Sequence, residues 1–239
     1  MTVIAFMGRS GTGKDTAAEY LQDRHGYTTI AFAEPLKRLA KIIYRFSDEQ
    51  LYGPPSARNA VDERFWRVQY AEEVFQRLYP VCPEAVAVLE ELFPEGVPER
   101  APQRLIAQFL EDIAPNGHAM TARKVLQLLG TEWGRGLQPD LWLRALQRAV
   151  SLRPGEKWAV TDCRFPNEAE LIARNIPNGY VLWVDADRRV PVDPVVSAHS
   201  SEPKYEDVKE YVHRVVDNNG TREEYERNIE SALNGLTAW

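Results

Sequence analysis

The sequence predicts a three-layer α/β fold, with a five-stranded parallel sheet between helices and a long helical insertion. Three observations predict it. Short continuous apolar runs alternate with helical stretches, which suits strands covered on both faces. The first run leads straight into a glycine-rich loop and a helix. Between the second and third runs lies a long stretch with helical spacing and little strand character.

The expected strands are Val3–Met7, Thr28–Phe32, Trp158–Thr161, Tyr180–Val184 and Arg214–Val216. After the last comes Asp217-Asn218-Asn219-Gly220 and then a well-marked helix. Its start, Thr221-x-x-Glu224, is a capping box, and Tyr225, Ile229, Ala232, Leu233 and Leu236 form one apolar stripe. The insertion, about residues 36–150, contains Leu36, Leu39, Ala40 and Ile43, then Leu105, Ile106, Phe109, Leu110 and Ile113. Val125, Leu128 and Leu129, and then Leu141, Ala145, Leu146 and Val150, continue the helical pattern. Proline clusters at 54–55, 80–83 and 94–102 break it into pieces. We expect one domain over residues 1–239, with this insertion forming a wall for a second substrate or simply a helical layer.

Composition narrows the function classes. The 239 residues are 44% hydrophobic, enough for a sizeable core, and the net charge of −6 argues against a general nucleic-acid surface. Cys82 and Cys163 have neither metal-ligand spacing nor the look of a disulfide framework, and Cys163 reads as a small core residue. No basic stretch followed by an apolar targeting segment opens the chain, and no run of ~18 apolar residues occurs. Internal repeats are absent. The expectation is a cytoplasmic protein with no membrane partner.

The loop Gly8-Arg9-Ser10-Gly11-Thr12-Gly13-Lys14-Asp15-Thr16 carries the strongest chemical signal. Gly8, Gly11 and Gly13 let backbone N–H groups turn inward around a phosphate, and the following helix adds the positive end of its dipole. Lys14 then reaches the outer phosphates of a nucleoside triphosphate. Asp15 stands where the usual motif has Ser or Thr, and the hydroxyl comes one residue later, at Thr16. We expect Asp15 to meet Mg²⁺ through water, with Asp162 as the second carboxylate of the metal region.

Four further groups sit at expected strand ends, helix starts or helix faces. Trp158–Thr161 runs into Asp162, Arg164 and a helix start at Asn167. Ligands of open parallel sheets bind beyond the strands' carboxyl ends, so Asp162 is a candidate metal or substrate group and Arg164 a phosphate clamp. A helix-capping carboxylate and a surface ion pair fit the same residues. Arg123 and Gln127 share a helix face, suited to a phosphate and a base edge, or to plain solvation. Asp140 is the expected N-cap of the next helix, and Trp142 fits either base stacking or the core. Arg188 and Arg189 lie in a proline-bounded loop, about residues 186–203, readable as a lid over a triphosphate or as a solvated turn. His199 is structural or associated with that lid.

Together these motifs resemble bacteriophage deoxynucleoside monophosphate kinases. The resemblance rests on the Gly-Lys-Asp-Thr loop, Phe32-Ala-Glu-Pro35-Leu-Lys37, the Arg123/Gln127 helix running into Leu-Gly-Thr-Glu-Trp-Gly-Arg135, Asp162-x-Arg164-Phe-Pro-Asn-Glu, His199-x-Ser-Glu and the late Asn-Gly-Thr. It implies a P-loop kinase fold and transfer of a phosphoryl group from Mg-ATP to a deoxynucleoside monophosphate. By motif match, Lys14 becomes a triphosphate ligand and Asp162 a catalytic-site carboxylate. Arg123, Arg135 and Arg164 become phosphate clamps, Lys37 a substrate-side residue and Trp142 a base-side residue. Arg45 to Pro115 matches least, so nothing transfers to Arg58, Arg64 or Arg67. A homodimer is compatible with all of this. The phosphate loop also resembles that of phosphomevalonate kinases, so another small phosphorylated acceptor stays open. A nucleic-acid-stimulated ATPase is disfavoured by the acidic balance and by the lack of an Asp-Glu pair after the third strand.

Overall fold

The computed structural model describes residues 1–190 and 204–236. In chain order the main elements begin with β1 (Thr2–Met7), α1 (Lys14–His25), β2 (Thr28–Ile30) and α2 (Glu34–Tyr44). Next come α3 (Val68–Leu78), α4 (Pro83–Leu92), α5 (Arg100–Gln108), α6 (Ala122–Leu128) and α7 (Leu141–Ser151). The chain closes with β3 (Lys157–Cys163), α8 (Pro166–Glu170), β4 (Gly179–Asp185), β5 (Val212–Asp217) and α9 (Arg222–Leu236). Two compact units result, one from Met1–Phe32 with Leu146–Trp239, the other from Ala33–Ala145. Among the described residues no helix is long and apolar enough to cross a membrane.

The first unit holds the sheet, with strand order β2-β3-β1-β4-β5. Every pairing is parallel. This is the five-stranded parallel α/β class the apolar runs predict. Central β1 is apolar throughout, and Val3, Ile4, Ala5, Phe6 and Met7 are all buried. Alternation along the strands sends Ile4, Phe6, Ala159, Leu182, Val184 and Val216 to one face. There they pack with Ala17, Ala18 and Leu21 of α1 and Tyr225, Ile229 and Leu236 of α9. On β5, at the sheet edge, Val215 stays exposed while Val216 is buried. The π-type turns at Leu171–Asn175, which continue α8, contact β1 and β4.

Each boundary has a local cause. Gly26 takes the left-handed conformation at φ 67° and closes α1, with its N–H bonded to the Gln22 carbonyl. At the start of α9, Thr221 Oγ1 accepts from Glu224 N at 3.3 Å and Glu224 Oε2 accepts from Thr221 N at 2.8 Å, which is the expected capping box. Two expected boundaries shift. β2 ends at Ile30 rather than Phe32, because the Phe32 N–H bonds a carboxylate at 2.7 Å instead of a ladder carbonyl. The helix after β3 begins at Pro166, not Asn167, since proline's fixed φ suits a first helical position.

The second unit is helical. Leu36, Leu39, Ala40 and Ile43 of α2 are buried together with Val74, Leu78, Val88, Leu89, Leu105 and Phe109. Its ion pairs are mostly exposed, as in Arg38–Glu91 and Lys41–Asp48, so apolar burial carries its stability.

Gly179 tests the fit of α8 and β4. A Cβ there would lie 1.9 Å from the Ile172 carbonyl oxygen and 2.9 Å from that of Ile176. Both obstacles are backbone. Gly179→Ala should therefore destabilise the protein by about 3 kcal/mol, seen as a lower urea midpoint in circular dichroism. A midpoint equal to wild type would show that this turn has room the packing denies it.

Candidate active site

Strand β1 delivers the glycine-rich loop to the carboxyl edge of the sheet, and α1 starts where the loop ends. Gly8 has φ 148°, and a Cβ on it would lie 2.7 Å from the Val184 carbonyl oxygen. Gly13 has φ 98°, and its Cβ would lie 2.4 Å from Asn218 Nδ2. These two positions exclude any side chain both by conformation and by space. Lys14 is 7% exposed, and its Nζ donates to the carbonyls of Gly8 at 2.7 Å and Arg9 at 2.6 Å. Thr12 Oγ1 donates to the Arg9 carbonyl at 2.8 Å, which fastens the loop to itself. Asp15 is exposed on the first turn of α1, and Thr16 is half-buried beside it.

The end of β3 adds the second group. Asp162 Oδ1 accepts from the Phe32 N–H and so fixes the exit from β2. Glu168 is buried, and its Oε2 accepts from Arg164 N at 2.8 Å and Phe165 N at 3.1 Å. That carboxylate sets the turn on which Arg164 sits. Burial pushes the Cys163 thiol well above its ordinary range, Glu168 and Asp162 push it further, and Lys14 opposes them. Lys14, far away in sequence, thus acts alongside Asp162 and Glu168 on Cys163 at one sheet edge.

The ends of β4 and β5 close around the same loop. Arg9 forms an ion pair with Asp187 and donates to the Val190 carbonyl at 3.3 Å. Asp185 Oδ1 accepts from Asp187 N at 3.0 Å. Arg188 donates its N–H to Asn219 Oδ1 at 2.8 Å, and its exposed guanidinium lies 3.6 Å from Asp217. Arg189 is exposed, and its charge acts on the Tyr225 phenol, which burial pushes far above its ordinary value. The remainder of the expected lid, residues 191–203 with His199, lies outside the described residues. Sequence reasoning assigned no role to Arg9, Asn218 or the Tyr225 hydroxyl. Tyr225 was legible only as an apolar-stripe position.

The remaining candidates belong to the second unit. Arg123 and Gln127 are half-buried on one face of α6, while Val125 is fully buried. Thr121 Oγ1 caps this helix by accepting from Lys124 N at 3.0 Å. Helix α2, bearing Lys37, packs against α6, and Lys37 Nζ lies 4.4 Å from the Tyr52 ring centroid. Arg135 lies in the π-type turns at Leu129–Arg135. This segment is tied to α5 by Trp133 Nε1 on the Ala101 carbonyl and by Arg104 on the carbonyls of Glu132 and Gly136. Trp142 is 4% exposed, its Nε1 donates to the Gly130 carbonyl at 3.0 Å, and a Cβ on Gly134 would lie 2.3 Å from its ring. That geometry supports the core reading of Trp142. Arg64 is committed to Asp62 and to the Arg45 carbonyl, a structural duty.

The Cys163 environment is testable. Its thiol is buried and held protonated, so iodoacetamide at pH 8 should label Cys82 in the native protein and leave Cys163 untouched until denaturant is added. Peptide mass spectrometry reads the difference. Native labelling of Cys163 would contradict the packing at the end of β3.

With this geometry in hand, comparison with known proteins is direct. The family model for deoxynucleotide monophosphate kinase matches residues 2–229. A protein of Acanthamoeba polyphaga mimivirus that bears the name deoxynucleotide monophosphate kinase is 28% identical over 237 residues, 99% of this chain and 98% of that one. The deoxynucleoside-5'-monophosphate kinase of Escherichia phage T5 is 30% identical over 182 residues, 71% of each chain. The crystal structure of TT1252 from Thermus thermophilus aligns over 99% of this chain and 98% of its own, with 18% identity and a TM-score of 0.44. The chain belongs to the deoxynucleotide monophosphate kinase family.

Proposed function

We propose that the chain transfers the γ-phosphoryl group of ATP to a deoxynucleoside monophosphate, giving the diphosphate and ADP. One observation carries the triphosphate assignment: a buried lysine ammonium is bonded across a loop whose glycines at both ends have positive φ, at the carboxyl edge of a parallel sheet. Such a loop offers backbone N–H groups and a cation to a polyanion, which is the need of phosphoryl transfer. Family membership supplies the acceptor class, and both named relatives come from viruses. A host-cell cytoplasmic setting follows from that reading.

The acceptor phosphate oxygen attacks the γ-phosphorus in line, and no bond to the protein forms. Catalysis is then positioning and charge neutralisation. Lys14 binds the outer phosphates. Arg164, on a turn set by Glu168, takes a phosphate at the end of β3. Arg123 and Arg135 serve the acceptor phosphate, Gln127 its base edge, and Lys37 the substrate side. Arg188 and Arg189 approach the triphosphate and exclude water, which would otherwise waste ATP.

Among the described residues no three His, Cys, Asp or Glu side chains form a metal cluster. The candidate carboxylates are Asp15, next to Lys14, and Asp162 at the end of β3. This set fits Mg²⁺, which is commonly held by one or two carboxylates plus substrate phosphates. Asp15 and Asp162 would hold it. When bound, the ion supplies charge neutralisation on the phosphates.

An acceptor screen tests the reading. ADP release should require a deoxynucleoside monophosphate, and nucleic acid should not substitute for it. Lys14→Ala should abolish transfer while leaving the circular dichroism spectrum unchanged. ADP formation by that folded variant within about tenfold of wild type would remove Lys14 from the triphosphate site.

Arg123→Ala and Arg164→Ala should each lower kcat/KM for the monophosphate by about 10²-fold, the scale of ~3 kcal/mol from a charge-assisted contact. Steady-state kinetics at saturating ATP measure this. A change confined to ATP affinity would move these arginines to the other substrate.

A further inference from the structure

The turn between β5 and α9 and the first turn of α9 hold the last residues of the phosphate loop. Asn218 is 2% exposed; its backbone N–H donates to the Asp185 carbonyl at 2.6 Å, and its Nδ2 donates to the Thr12 carbonyl at 2.8 Å. Tyr225, also 2% exposed, donates its hydroxyl to the Gly13 carbonyl at 3.0 Å. Two successive carbonyls of the loop are therefore held by side chains that lie far away in sequence, 206 and 212 residues along the chain.

The peptide bond turns these two contacts into a statement about donors. In a planar trans peptide the N–H points opposite to the C=O. The Thr12 carbonyl shares its peptide with the Gly13 N–H, and the Gly13 carbonyl shares its peptide with the Lys14 N–H. The Thr12 carbonyl, drawn to Asn218, turns the Gly13 N–H away from the β5–α9 turn, and the Gly13 carbonyl, shared between Ala17 N–H at 3.0 Å and the Tyr225 hydroxyl, fixes the direction of the Lys14 N–H. Those are the last loop donors before α1, where a phosphate would meet backbone N–H groups and the helix dipole together. The close approach at Gly13 fits this reading, since its missing Cβ leaves room for Asn218 Nδ2.

Asn218 carries a second mark. Its Oδ1 is buried and has no hydrogen-bond partner among the described residues. A buried amide that leaves its oxygen unpaired is a poor choice for packing alone, because leucine or threonine would avoid the loss. The side chain is retained for its N–H donor.

We propose that Asn218 and Tyr225 are positioning residues for triphosphate binding, which aim the Gly13 and Lys14 N–H groups at the phosphates by holding the carbonyls behind them. The proposal rests on the kinase reading above. The two residues touch no substrate. Their effect belongs to ATP and not to the acceptor.

Tyr225→Phe removes one hydroxyl and keeps the ring that packs in the core. Its dissociation constant for ATP, by titration calorimetry, should rise about fivefold or more, and KM for ATP should rise in step. KM for the monophosphate at saturating ATP should stay within about twofold of wild type. Asn218→Ala should behave alike, and if it does not fold, Tyr225→Phe decides alone. Tyr20→Phe is the control. It removes a hydroxyl that serves Glu230 between α1 and α9, so both constants should stay at wild-type values. An unchanged ATP dissociation constant in Tyr225→Phe would overturn the proposal. So would equal loss for both substrates, the sign of general loosening. If wild type binds ATP but forms no acceptor-dependent ADP, the kinase reading fails, while the calorimetric comparison still judges Asn218 and Tyr225.

Discussion

The first unit is organised around a loop that its own hydrogen bonds hold only in part. Between Met7 and Lys14 the chain turns from strand to helix with Gly8 and Gly13 at positive φ, a conformation other residues adopt only under strain. Such a loop has few local hydrogen bonds of its own, and here the surroundings provide them. Lys14 spans it from within, the Val184 carbonyl presses on Gly8, and Asn218 and Tyr225 hold its far end. Three strands and two helices converge on seven residues. The parallel sheet is what brings their carboxyl ends there, since all of its strands point the same way.

The same edge shows how carboxylates are used. Glu168 is buried and satisfies two backbone N–H groups, a duty that matches a helix start. Asp162 bonds the Phe32 N–H and is only half-buried. Its bond to the Phe32 N–H and a place in the proposed metal region are compatible, because a carboxylate has two oxygens and about four lone-pair sites. The helix-capping role weighed for Asp162 from sequence is filled at α8 by Glu168, while Asp162 bonds the exit of β2. Glu168 fixes the backbone of the turn that carries Arg164, so the Arg-Phe-Pro-Asn-Glu run folds as a unit.

Much of this was legible in the sequence, and the exceptions share a cause. The five strands could be read because buried parallel strands are continuous apolar runs, and α9 because its cap and stripe agree. The loop could be read because glycine and lysine spacing reports a backbone need. The contacts of Asn218 with Thr12 and of Arg9 with Asp187 could not. They join residues more than a hundred positions apart, and nothing in either local pattern names the partner. Trp142 was undecidable for a different reason. Leucines flank it in either role, and only the close approach of Gly134 and the bond to Gly130 favour the core. The π-type turns at Phe109–Ile113, Leu129–Arg135 and Leu171–Asn175 were also invisible, since one shifted hydrogen bond barely alters a 3.6-residue period.

Lys14 is where the structure and the proposed chemistry meet. An ammonium at 7% exposure needs acceptors, and two neutral carbonyls of its own loop supply them. A triphosphate offers charged oxygens instead. Its present bonds join an ion to neutral carbonyls, and in the proposed exchange ion–ion contacts with phosphate oxygens replace them, adding a net Coulomb attraction. The lysine is already ordered in the loop, which spares most of the ~2 kcal/mol of side-chain entropy that a free lysine would lose on binding. What the fold contributes is a buried ammonium already fixed at the carboxyl edge of the sheet, where the proposed triphosphate would sit.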